Sequence, residues 1–399
     1  MSDTSSTLVV DYPLYDADQH YYEDIDSFTR HLEPQFSYAF SWATDDNGRR
    51  ILTLGDKVFR MIKNPTFSPV AKPGALAEYF RGNADKTQDA RTMIGQMEPA
   101  RPEYRTRGPR VPILDAQGVE GVIMLPTLAL GVEELLWDDP IALHAVLRSL
   151  NTWIDEEWGY SWENRIFAAP VFSLVDPISA EIELERVLTL GAKVIAMRPA
   201  PIQTPAGFRS PADPAHDRFW SMCEEAGVVV AYHGADSGYA SYNARWGEKS
   251  SFGTFAQSAF AETLSLNIER PIFEQVAAMI THGLFDRHPR LRVAAVELGS
   301  GWVPELVRRL KLTFGKMPGS FQADPVETLH DHLWIAPFHE DSLSTLAEAI
   351  GTDRIMLGSD WPHPEGLDVP SKFIEDLGTF SYDQQKQIMS DNLKGLLLG

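Results

Sequence analysis

Short apolar segments recur along the chain, and each closes on polar or small residues: LYDAD (14–18), GVIMLP (121–126), RIFAAPVF (165–172), KVIAMRP (193–199), GVVVAYH (227–233), LRVAAVE (291–297), LWIAPF (333–338) and RIMLGSD (354–360). Near-continuous apolar runs of this length suit strands covered on both faces, as in a parallel sheet. Between most of them the apolar positions take a helical period, in PISAEIELERVLTLG, DPAHDRFWSMCEEAG, WVPELVRRLKLTFG and SLSTLAEAIGTD. Several of these end in glycine just ahead of the next strand, a common helix stop. Eight strand–helix units predict an α/β chain folded as a (β/α)8 (TIM) barrel, one domain over residues 1–399. An open doubly wound sheet would carry a glycine-rich phosphate loop after its first strand. QHYYEDID follows LYDAD and holds no glycine.

One connection is far longer than a crossover helix needs. Residues 24–118, between the first two strands, include NPTFSPVAKPGALAEYFRG and EPARPEYRTRGPRVPILDAQG, rich in proline, arginine and aromatics. Long connections in compact domains are usually functional. This one leaves the catalytic face, so it is expected to cap the barrel mouth. A second long connection, about 234–271, leaves the fifth strand at the same face.

Charge changes the picture of partners. The chain has 35 Lys and Arg against 56 Asp and Glu, a net charge of −21 and a pI near 4.9. Such a surface repels phosphate backbones and anionic lipid, so neither nucleic acid nor a membrane is an expected partner. No apolar run of about eighteen residues appears, and the N-terminus lacks the features of an export signal, which makes a cytoplasmic protein the expectation. Cys223 is the only cysteine. That excludes an internal disulfide, a thiolate zinc cage and an iron–sulfur cluster.

In a barrel the chemistry sits where strands end. The first strand ends in Asp18-x-His20 with Glu23 behind it, the fourth near Arg198, the fifth in His233, the sixth in Glu297, the seventh near His339 and Glu340, and the eighth in Asp360. Side chains two apart on a strand share a face, so Asp18 and His20 can reach one ion. Taken singly, Asp18-x-His20 also fits a surface turn, His233 a core histidine and Asp360 a turn cap. Together at one rim they form a donor set suited to a divalent metal such as zinc, manganese or iron(II). His363 and Trp361, just beyond Asp360, join Arg198 and His339 as candidate substrate contacts, with His363 equally a candidate ligand of a second metal and Arg198 able either to clamp a carboxylate or to form a buried ion pair. Tyr21 and Tyr22 suit the lining of the pocket. His282 and His288 precede the sixth strand, which places them at the opposite end of the barrel in structural roles.

DADQHYYE, YHGADSGY, GLFDRHPRLRVAAVELGSGWVP and IMLGSDWPHPEG together resemble the amidohydrolase superfamily. The likeness is to the amidohydrolase-related branch that contains aminocarboxymuconate-semialdehyde decarboxylase and related aromatic-acid decarboxylases. The resemblance covers almost the whole chain and implies that Asp18, His20, His233 and Asp360 hold the principal metal. It departs at two places. Relatives often begin with His-x-His or Glu-x-His where this chain has Asp18. Its decarboxylases place a proton-transferring histidine at the end of the sixth strand, where this chain has Glu297, a group that can bridge two ions. That departure and the aromatic insertion resemble the subgroup with the nonheme diiron monooxygenase of platensimycin and platencin biosynthesis.

The leading expectation is therefore a dinuclear nonheme iron monooxygenase that hydroxylates a bulky apolar carboxylic acid or its acyl thioester and draws on an electron donor. Asp18, His20, His233, Glu297 and Asp360 would be its ligands, with Asp360 and Glu297 catalytic. The alternative is a mononuclear zinc or manganese hydrolase or non-oxidative decarboxylase of a small carboxylic acid, with Asp360 as general base. A binding protein on a catalytically inert barrel is the third reading, and its mark would be a purified chain that retains no metal. The branch also suggests a homodimer by analogy.

Overall fold

The computed structural model describes residues 10–82, 95, 97–248, 258–266, 268–338 and 342–399. Seven of the eight expected segments are strands: β1 (Leu14–Tyr21), β2 (Val119–Pro126), β3 (Ile166–Ala168), β4 (Val194–Met197), β5 (Val229–His233), β6 (Arg292–Val296) and β7 (Leu333–Ala336). All neighbours run parallel, β1–β2–β3 in one sheet and β4–β5–β6–β7 in another. A parallel bridge between Val171 and Ala196 joins the two sheets.

The eighth segment closes the ring without being a regular strand. Ile355 bridges Ile335 on one side, and Met356 N donates to the Ile335 carbonyl at 2.8 Å. On the other side Ala17 N donates to Leu357 O and Asp360 N to Asp18 O, each at 2.8 Å. Two features break the ladder: Leu357 N turns away to the Ile388 carbonyl, and Asp360 adopts a left-handed φ of 54°. Eight backbone segments therefore form one closed barrel.

Helices cover the outside: α1 (Arg107–Gln117), α2 (Pro140–Glu157), α3 (Pro177–Thr189), α4 (Asp217–Ala226), α5 (Glu269–Thr281), α6 (Trp302–Lys316), α7 (Pro325–His332) and α8 (Leu343–Ile350). Proline opens α2, α3 and α7, where its missing N–H costs nothing. Every residue of β1 is buried, although Asp16, Asp18, Gln19 and His20 are polar. Those four must find partners inside the barrel, which is why β1 carries the site.

Within residues 24–118, a small antiparallel sheet (Ser41–Thr44, Arg50–Leu54, Lys57–Val58) comes first. The range ends in α1, which stops at Gly118 directly ahead of β2. Residues 74–81 lie on the loop that follows the eighth segment. Leu76 N donates to Pro364 O at 2.6 Å, Phe80 packs edge-on against Phe338, and Arg81 pairs with Asp376 at 3.2 Å. Gly74 must be glycine there: its φ is +75°, and a Cβ would sit 3.0 Å from the Asp368 backbone. No described helix is long and apolar enough to cross a membrane.

Candidate metal centre

Barrel closure brings five of the strand-end residues together. His20 Nε2 lies 3.1 Å from Asp18 Oδ1, 3.3 Å from Asp360 Oδ1 and 3.7 Å from Glu297 Oε2. His233 Nε2 lies 2.9 Å from Glu297 Oε2, 3.5 Å from Asp18 Oδ1 and 3.1 Å from His20 Nε2. One donor atom from each of Asp18, His20, His233 and Glu297 falls within 4.8 Å of every other. Asp360 forms two further such groups, one with His20 and His363 and one with Glu297 and Glu365. Only Glu297 has a side chain as much as 18% exposed, against 1–5% for the other three of its group, so the cluster opens to the mouth at Glu297.

These contacts have the spacing of ligands around one ion. Donors held about 2.0–2.2 Å from one ion sit roughly 3.0–3.5 Å apart across a tetrahedron or octahedron. Asp18 Oδ1 and both Asp360 oxygens are buried with no hydrogen-bond partner, although other polar atoms stand close. His233 settles its own tautomer. Its Nδ1 sits 3.1 Å from the Gly234 carbonyl, which can only accept, so Nδ1 carries a hydrogen, and in the neutral ring that binds a metal Nε2 is the lone-pair atom facing the cluster. A divalent cation fits this donor set and would relieve its lone-pair crowding.

The charges point the same way. Burial alone would raise the Asp18 carboxyl, but His20 and His233 hold it well below the usual range. Burial also disfavours the His233 cation, yet Glu297 and Asp18 raise it to about 10. Burial, then the charges of Glu297, Glu365 and Asp18, push Asp360 well above the carboxylate range. Glu365 rises to about 8 by burial and the Glu297 charge. So many buried carboxylates are a demand for positive charge.

The backbone is shaped to present these groups. Glu297 and Asp360 both adopt left-handed φ values, 53° and 54°, which non-glycine residues hold at a cost of order 1 kcal/mol. Asp16 staples the two ligand-bearing segments together, accepting from Ser359 N and Asp18 N (3.0 and 3.1 Å) and from the Ser359 hydroxyl. Beneath β1, Arg110 of α1 donates to the His20 carbonyl at 2.6 Å. Glu23 Oε1 accepts from three successive amides, Thr127, Leu128 and Ala129, at 2.8–3.3 Å.

Glu23 also makes a pH-dependent contribution. Burial raises it from 4.5 to about 7, against the pull of those amides. Folding therefore disfavours its charged form, and stability falls as pH climbs from about 4.5 to about 7. Urea unfolding at pH 5 and pH 8 should show wild-type stability dropping more steeply than that of Glu23→Gln, by up to about 3 kcal/mol. Equal pH dependence in the two proteins would reject this assignment.

The remaining candidates lie as follows. Arg198 is buried against protein carboxylates: Nε donates to Glu133 at 2.9 Å, and Nη1 to Glu134 and the Asp236 carbonyl at 2.7 Å each. The structure thus takes the ion-pair side of its two readings. Trp361 lies beneath Arg110, whose guanidinium carbon is 4.4 Å from the ring centroid, and meets Tyr104 edge-on. It is a buried wall residue. His363 joins the cluster, with Nδ1 2.7 Å from Asp360 Oδ1 and burial holding its imidazole neutral. His339 and Glu340 lie outside the described residues. Sequence reasoning passed over Glu365 and Asp16. Asp16 had a signal, because it alternates with Asp18 and His20 along β1. Glu365 had none beyond its place in WPHPEG.

Comparison with known proteins identifies the family. The family model described as Amidohydrolase matches residues 15–392. A gamma-resorcylate decarboxylase of Rhizobium radiobacter is 26% identical over 277 residues, 66% of this chain and 79% of its own. A 2-amino-3-carboxymuconate-6-semialdehyde decarboxylase of Dictyostelium discoideum is 27% identical over 124 residues, so the match spans about a third of that relative (34%) and 29% of this chain. Among solved structures, an amidohydrolase from Mycobacterium avium subsp. paratuberculosis is 41% identical with a TM-score of 0.91, covering 98% of this chain and 100% of its own. A dihydroxybenzoic acid decarboxylase from Polaromonas, solved with manganese and 2-nitroresorcinol, shares the fold at 16% identity and a TM-score of 0.56, covering 83% and 96%.

Proposed function

The chain belongs to the amidohydrolase family, and on that footing we propose that it decarboxylates or hydrolyses a small carboxylic acid with a bound divalent metal, manganese or zinc. The observation that carries this reading is the group of four donors from Asp18, His20, His233 and Glu297 beside the protonatable Asp360. The curated relatives above are decarboxylases and add weight to decarboxylation.

His20 and His233 would supply nitrogen donors and Asp18 and Glu297 oxygen donors. A metal held there supplies Lewis acidity toward a substrate oxygen. The chain's own part is to orient the substrate from the open side at Glu297 and to move one proton. Glu297 cannot act as a cationic acid, so the proton falls to Asp360. Its carboxyl is kept partial to the protonated form and lies 3.3 Å from His20 Nε2, at the edge of the donor group. The insertion laid on the 363–376 loop would exclude water from that face.

A second reading keeps the dinuclear iron monooxygenase, because His363 and Glu365 add two donors around Asp360 beyond the first four. It needs dioxygen and an electron donor, and no relative above is described as an oxygenase. Chelator-treated protein reloaded with manganese, zinc or iron and offered aromatic carboxylic acids separates the two. Carbon dioxide or acid release without oxygen supports the first. Oxygen-dependent, iron-specific turnover would replace it with the second.

A further inference from the structure

We infer that Thr127 fixes the tautomer of His363 and so makes His363 Nδ1 a further ligand atom for the cation, not a contact for substrate. The ligand half of this inference rests on the metal reading above, whereas the tautomer half does not. A threonine hydroxyl carries one hydrogen. Thr127 Oγ1 lies 2.8 Å from the Tyr21 carbonyl, which can only accept, so its hydrogen is spent there. His363 Nε2 lies 3.1 Å from the same oxygen and must be the donor of that second contact.

A neutral imidazole has a single N–H. With Nε2 protonated, Nδ1 is left with a bare lone pair aimed at Asp360 Oδ1, 2.7 Å away. Neither atom has a hydrogen-bond partner at that spacing, so with Asp360 ionised, as a bound cation would hold it, the contact is two acceptors facing each other. Such a pair is repulsive until a cation lies beside it.

The ring has little freedom to escape. His20 stacks on it with centroids 4.0 Å apart, and Tyr22 stacks at 5.6 Å. Thr127 is anchored in turn, since its own amide donates to Glu23 Oε1 at 3.1 Å. The opposite arrangement would turn the Thr127 hydrogen to Nε2. It would remove a donor from the buried Tyr21 carbonyl and require an Nδ1–H bond to Asp360 that the geometry does not make.

The test uses the full chain labelled with 15N-histidine and stripped of metal, with the His363 signals identified from their loss in His363→Gln. In the wild type, Nε2 should resonate as the protonated nitrogen and Nδ1 as the bare one. Thr127→Val should blur that pattern and weaken manganese binding, read by the electron paramagnetic resonance of the free ion, by about 10–100-fold. Thr127→Ser should restore both. A hydrogen on Nδ1 in the metal-free wild type overturns the inference. So does a Thr127→Val chain that binds manganese as tightly as the wild type. A wild type that shows the Nε2–H tautomer but binds neither manganese, zinc nor iron keeps the Thr127 role, rejects the ligand role and defeats the metal reading itself.

Discussion

Replacing His233 with alanine is expected to give a folded chain without its metal and with activity reduced by about 10³-fold. Its Nε2 is the donor closest to Glu297 and lies 3.1 Å from His20 Nε2, so it sits in the middle of the group. Alanine removes one of only two nitrogens among the first four donors and leaves mainly carboxylates facing one another. A Lewis-acidic ion is worth several kcal/mol of transition-state stabilisation, and each 1.36 kcal/mol is tenfold in rate. The fold should survive, because His233 is the last residue of its strand and its ladder pairing, with Val296 of β6, runs through the backbone. Metal content by mass spectrometry, initial rates and a thermal melt check the three statements. Full metal occupancy in His233→Ala would remove His233 from the donor set.

Arg110→Met is expected to cost about 3 kcal/mol of stability and to loosen the metal site from below. Arg110 is fully buried, and no carboxylate among the described residues is paired to it. Its Nε donates to Glu103 O at 2.7 Å, Nη1 to Gln19 Oε1 at 3.0 Å and Nη2 to His20 O at 2.6 Å. Its guanidinium also covers the Trp361 and Trp158 rings at 4.4 and 5.4 Å. Burial lowers its pKa to about 9, which still leaves it charged near neutral pH. Each hydrogen bond from a charged group contributes about 1.5–3 kcal/mol, and cation–π contact up to about 2 when desolvated. Relief from a buried unpaired charge returns several of these, so the net loss is smaller than the sum. Denaturant midpoints measure it. An Arg110→Met chain as stable as the wild type, with unchanged metal affinity, would show that the guanidinium holds neither Trp361 nor the His20 backbone in place.

Much of this was legible before any coordinates because a barrel turns the phrase "end of a strand" into a place. The Asp18–His20 pair, His233, Glu297 and Asp360 lie far apart in sequence, yet each closes its own segment, and closure of the ring brings them to one rim. Segments buried on both faces write continuous apolar runs, so β2 to β7 stood out. The eighth did so as well, but its break at Asp360 is a matter of one backbone angle, which no run of residues announces. The insertion was harder. Arg110 belongs to a stretch rich in proline and arginine that reads as a cap, and only the fold shows it under His20. Arg198 fits a substrate clamp and an ion pair equally well in sequence, since the choice depends on where Glu133 and Glu134 fall. His363 was singled out by its closeness to Asp360, and its chemistry depends on Thr127, 236 residues away.

The most direct test is an anomalous-scattering map, at the manganese, iron and zinc edges, from crystals of protein purified without chelators. The account predicts a peak from a divalent ion enclosed by His20, His233, Asp18 and Glu297. A map with no peak among those residues, from protein that is fully active, would contradict it.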